Sequence, residues 1–130
     1  MKATRPLVTN DVFARIEELR ALEPGWLDRA GDAPSPAFLD WLNQKFECCY
    51  PDSAPLPYLY PTAEGGVQAE WSVGAHEISL EIASDTHQAE WQALDLESDE
   101  QATRQLDLND SAAWMWVVEQ IRMIAGGGKA

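Results

Sequence analysis

The stretch Val67-Gln68-Ala69-Glu70-Trp71-Ser72-Val73, followed by Gly74-Ala75 and then His76-Glu77-Ile78-Ser79-Leu80-Glu81-Ile82, decides the fold. Apolar and polar residues alternate through both runs, the period of strands with one buried and one wet face. Gly74-Ala75 turns the chain between them, so the runs pair as an antiparallel hairpin. Upstream, Tyr58 to Thr62 reads as a short strand, with Pro61 marking an edge or a strand end. Ala63-Glu64-Gly65-Gly66 joins it to Val67 as a hairpin turn, because paired glycines supply positive φ. Downstream, Ser84-Asp85-Thr86-His87 turns the chain into Ala89, Trp91 and Ala93, which continue the inward phase. Leu94 and Leu96 fall in the opposite phase, which predicts a bulge near Ala93. Ser98-Asp99 then leads to a last strand around Arg104 to Leu108.

Helical patterns flank this region. Val12, Ile16 and Leu19 make one apolar stripe behind a cap at Thr9 or Asn10, and Pro24-Gly25 ends that helix. Ser35-Pro36 opens a second helix, with a capping serine and a proline at the first helical position. Leu39, Leu42 and Phe46 stripe its inner face, and Pro51, Pro55 and Pro57 hold the following connection extended. Asn109, Asp110 or Ser111 caps a final helix striped by Trp114, Val117, Ile121 and Ile124. The expected architecture is α+β: an antiparallel meander of four to five strands, with two N-terminal helices and one C-terminal helix on one face. Residues 1–125 read as one globular domain, and 126–130 as a flexible Gly-rich tail.

Charge is divided unevenly. The 130 residues carry a net charge of −13, with 9 basic and 22 acidic side chains. Residues 1–57 hold 6 bases and 9 acids, whereas residues 58–130 hold 3 bases and 13 acids. Between Lys45 and Arg122 the only base is Arg104. This balance argues against direct nucleic-acid binding, which needs a basic face to displace counterions. It argues equally against docking on anionic lipid. No apolar run reaches the ~18 residues of a membrane span, and Met1 to Pro6 lacks the apolar segment of a signal peptide. Cys48 and Cys49 are adjacent, and neighbouring cysteines rarely bridge, which reads as a reduced cytoplasmic protein.

Gly25-Trp26 with Gly31 and Pro34-Ser35-Pro36, then Tyr60-Pro61-Thr62-Ala63-Glu64-Gly65-Gly66-Val67 and Glu70-Trp71, together resemble a known group. Its members are small uncharacterised bacterial and mobile-element proteins that pair a Gly-Trp-Asp-Gly-like loop with a Pro-Thr-x-x-Gly-Gly-x-x-x-Glu-Trp hairpin. Here Leu27 follows Trp26, which loosens the loop pattern. The resemblance spans about Leu22 to Trp71. It implies the hairpin and, the group having no established activity, carries no chemistry.

The candidate functional residues are outward carboxylates: Glu70 on one strand, Glu77 and Glu81 on the next, and Glu90 on the third. Same-phase positions put them on one face, with cross-strand neighbours roughly 5 Å apart. Such a face suits a basic protein partner, a divalent cation or acid–base catalysis, or it only keeps the sheet wet and discourages edge pairing. Trp26 in its Gly/Asp loop is a contact residue or packs back on the domain. Trp116 and Met123, off the last helix's stripe, form a partner face or bury against the first helix. His76 beside Glu77 is either an acid–base pairing or an incidental histidine at a strand start, and neither His76 nor His87 has metal-ligand spacing. No phosphate-binding glycine loop or nucleophile elbow is present.

The sequence therefore predicts a non-catalytic acidic module, without cofactor, that binds a basic protein surface, with inhibition of that partner as one outcome of binding. An antitoxin, an immunity protein or an anti-defence protein fits that description. The alternatives are a small metal-assisted hydrolase using the sheet carboxylates, or a structural subunit forming a homodimer through its C-terminal helix.

Overall fold

The alternating pattern becomes a five-stranded antiparallel sheet in a computed structural model that describes residues 11–51 and 53–126. The elements run α1 (Val12–Arg20), α2 (Pro36–Cys49), β1 (Tyr58–Pro61), β2 (Val67–Val73), β3 (His76–Ile82), β4 (Gln88–Asp95), β5 (Gln101–Asp107) and α3 (Ser111–Ala125). Strand order follows chain order, so every connection is a hairpin and the sheet is a meander. The fold is α+β, as the two periods in the sequence require.

Register explains the sorting of side chains. Ala69, Leu80 and Trp91 lie in one cross-strand row, and Val67, Ile82 and Ala89 in another, all buried. These inward residues pack with Ile16, Leu19, Leu39, Leu42, Phe46, Trp114 and Ile121 from the helices as one apolar cluster. Tyr50 and Trp71 close its rim: the Tyr50 hydroxyl donates to the Pro55 carbonyl, and the Trp71 indole N–H reaches both Tyr50 Oη at 3.2 Å and that carbonyl at 3.1 Å.

The helix ends follow local chemistry. Ser35 Oγ accepts from the Phe38 N–H at 3.1 Å, and Pro36 occupies the first turn, as read from the sequence. Asp110 caps α3 by accepting from the Ala112 N–H at 3.0 Å. Thr9 and Asn10 lie outside the described residues; Asp11 caps α1, accepting from the Ala14 N–H at 3.1 Å. That helix ends at Arg20, ahead of Pro24-Gly25, in a tightened last turn where the Ala21 N–H donates to the Glu18 carbonyl and the Leu22 N–H to the Leu19 carbonyl, each at 3.2 Å. Gly126 caps α3, and the rest of the Gly-rich tail lies outside the described residues.

Two strand details correct the sequence expectation. No bulge interrupts β4: Ala93 pairs Ile78 and Leu94 pairs Glu77 in unbroken register, so Leu94 simply faces the wet side. The last strand spans Gln101–Asp107, beginning earlier than Arg104.

The loop and the hairpin that carry the resemblance touch each other. Trp26 folds over its own loop, its indole N–H donating to the Asp32 carbonyl at 2.8 Å. Gly31, at φ +90°, leaves room for that indole, since a Cβ there would stand 3.3 Å from Trp26 Nε1. The Asp32 N–H in turn donates to the Ala63 carbonyl at 2.8 Å, fastening the loop to the hairpin turn. The two glycines of that turn have different tasks. Gly65 takes φ +84°, whereas a Cβ on Gly66 would lie 2.3 Å from the Ile82 carbonyl oxygen.

Candidate functional site

The face of the sheet opposite the apolar cluster carries polar side chains in cross-strand rows. One row reads Tyr60, Gln68, Glu81, Glu90, Gln105; the next reads Tyr58, Glu70, Ser79, Gln92, Thr103; a third reads Ser72, Glu77, Leu94, Gln101. All four carboxylates singled out from the sequence, Glu70, Glu77, Glu81 and Glu90, therefore share this outer face. No basic residue stands in any of the three rows.

The carboxylates are not equivalent. Glu70 accepts from Gln68 Nε2 at 2.6 Å, and both Glu77 oxygens lie 3.0 Å from the Ser72 hydroxyl. Glu81 and Glu90 face each other directly across β3 and β4, and neither has an ion pair or side-chain hydrogen bond among the described residues. The sequence expectation that the carboxylates are close cross-strand neighbours thus holds for this pair alone, because Ser79 stands opposite Glu70 and Ser72 opposite Glu77. Like charges directly opposite each other destabilise a sheet.

Sequence reasoning missed Tyr58 and Tyr60. They are 39% and 44% exposed, large flat side chains lying in the same rows as Glu70 and Glu81. The signal was present: Leu59 is buried, so period 2 turns its neighbours outward. Tyrosines beside carboxylates offer both a ring face and an anion to a guanidinium or ammonium group.

The histidines occupy structural junctions. Alternation sends His76 and Glu77 to opposite faces, which removes the acid–base pairing suggested by their adjacency; His76 Nε2 instead lies 3.8 Å from Asp95 Oδ2. The backbone N–H of Glu97, then that of Ser98 and the nearby His76, hold the Asp95 carboxyl below its usual range. His87, at φ +63°, stacks on Trp41 with ring centroids 3.7 Å apart, and its Nδ1 lies 2.7 Å from Asn109 Oδ1. It thereby pins α2 to the β3–β4 turn and to the loop before α3.

Of the remaining candidates, Trp26 is half-buried in the loop clasp, whereas Met123 is 58% exposed, as is Met115, two turns earlier on α3, at 60%. Trp116 is half-buried, its ring nearly perpendicular to that of Trp91 at 5.1 Å, and the Arg104 guanidinium carbon lies 4.5 Å from its ring centroid. Cys48 and Cys49 are free thiols with sulfurs 3.0 Å apart, and burial pushes the Cys49 thiol up. Among the described residues, no group of three His, Cys, Asp or Glu side chains is placed to hold a metal ion. No described helix is long and apolar enough to cross a membrane. No protein-family model matches the chain, and no curated protein or solved structure matches it significantly.

Proposed function

We propose that this chain is a non-catalytic acidic interaction module whose outer sheet face binds, and by binding inhibits, a basic protein surface in a reducing cytoplasm. An antitoxin, an immunity protein or an anti-defence protein would fit this mode of action, and kinship with the mobile-element group sharing the loop and hairpin is part of the proposal. The observation that carries it is the outer face itself. Three adjoining rows hold Glu70, Glu77, Glu81 and Glu90 with two exposed tyrosines and no base. The opposed Glu81 and Glu90 lower stability unless a cation comes between them. Attraction of a basic partner to such a face speeds encounter and weakens with salt.

Affinity capture from the lysate of the native cell tests this, comparing wild type with E70Q/E77Q/E81Q/E90Q at low and high salt. The expected result is a basic protein retained by wild type at low salt, released by high salt and lost by the variant. Equal retention of that protein by the variant contradicts the proposal.

A further inference from the structure

A second feature lies on the other side of the sheet and does not depend on the outer face. The final helix packs against α2 and β2, reaches β4 and β5 through Trp116, and leaves much of the inner side of β5 exposed. Of the residues of β5 that point inward, only Leu106 is buried; Ala102 and Arg104 are exposed. The result is a cleft of about 690 Å³ between α3 and the ends of β4 and β5, within the size range of small-ligand sites. Trp91 lies on its floor, Trp116 and Gln120 on its helical wall, and His76 with Asp95 at its far end.

Arg104 makes this cleft chemically specific. It stands opposite Trp91 in register and stacks over Trp116 at 4.5 Å. In a chain with 22 acidic side chains, its guanidinium has no ion pair and no side-chain hydrogen bond among the described residues. A guanidinium over an indole face and without ion-pair partners keeps N–H groups free to grip a carboxylate or a similar planar anion in a bidentate way. Half-buried Trp116 presents apolar surface beside it, backed by the buried Trp91, whose ring lies nearly perpendicular at 5.1 Å. Asp95 sits four residues along β4 from Trp91, about 13 Å away. Its carboxyl, held ionised by the backbone N–H of Glu97, repels a second anionic group at that end.

We propose that this cleft binds a small aromatic monocarboxylate, its carboxylate gripped by Arg104 and its ring system laid against Trp116 and the apolar lining of Ala93, Ala102 and Ile124, above the buried Trp91. The same grip serves a free metabolite or a carboxylate-bearing cofactor fragment, so the chemistry rather than the source is specified.

The test is a nuclear magnetic resonance titration with 2-naphthoate and with its neutral isostere 2-naphthamide. The reporters are the Arg104 Nε–H and the indole N–H signals of Trp91 and Trp116. Saturable shifts of these signals by naphthoate are expected, with naphthamide binding roughly tenfold or more weakly, the difference of one charged hydrogen-bonded pair. R104Q is expected to lose naphthoate binding by a similar factor while its other amide signals stay in place. R122Q, on the same helix as Trp116 but outside the cleft, is expected to bind as wild type does. The proposal is overturned if naphthoate gives no saturable shifts at these signals, if the two probes bind equally, or if R104Q binds like wild type.

Discussion

Glu81 and Glu90 stand directly opposite each other on β3 and β4, unpaired among the described residues, on an outer face whose three rows hold no base. Two like charges at one register position store repulsion that the free protein gains nothing from. Replacing either with Gln should therefore stabilise the fold by about 0.2–1 kcal/mol. Chemical denaturation at low salt reads this gain. It should shrink at high salt, where screening already relieves the pair, and E81Q/E90Q should gain less than the two single changes combined.

Gly66 sits where β2 leaves the hairpin turn, and a methyl group there would meet the Ile82 carbonyl oxygen of the neighbouring strand. The obstacle is backbone, so the strands must part. G66A should cost about 1–3 kcal/mol, the range of overpacking, and weaken hydrogen-exchange protection at Val67 and Ile82 before protection in β4.

Leu80 is fully buried at the centre of β3, between Ala69 and Trp91. L80A removes its contacts with both neighbouring strands and should cost about 2–5 kcal/mol. Thermal unfolding checks it; an effect below the lower figure would mean that the space collapses without a cavity.

Tyr50 supplies a pH dependence. Burial pushes its hydroxyl up to about 12, although the Trp71 hydrogen bond and the nearby Arg122 pull the other way. The unfolded chain releases that proton near pH ~10, so between the two values the unfolded state binds fewer protons than the folded one. The contribution is whole below the unfolded value and falls as pH rises, by at most about 1.4 kcal/mol per pH unit. Unfolding free energies measured from neutral pH to above pH ~10 should show this decline in wild type and a shallower one in Y50F. Parallel curves would contradict the assignment.

Much of the fold can be read from phase alone. Leu59, Trp71, Leu80 and Trp91 alternate with polar residues, and their burial places Glu70, Glu77, Glu81 and Glu90 on the far side without further information. Ser35-Pro36 announces its helix because capping is local chemistry. What depends on register is harder to read. Leu94 looks like a phase error, yet it is an apolar residue on a wet face, paired with Glu77. Arg104 looks like a lone surface base; only its pairing with Trp91 turns it inward over Trp116. The bond from Asp32 to Ala63 joins segments far apart in sequence, so the loop and the hairpin read as two motifs although they form one clasp.

The most direct measurement of the central claim uses the outer face itself. Titrating the labelled protein with an oligo-arginine peptide at low salt, and following amide and side-chain signals, locates where a guanidinium-rich surface docks. Shifts concentrated at Tyr58, Tyr60, Glu70, Glu77, Glu81 and Glu90, abolished by salt and lost in E70Q/E77Q/E81Q/E90Q, are the predicted result. Shifts spread evenly over the acids of the turns and helices, such as Glu97, Asp99 and Glu119, and unchanged in that variant would contradict it.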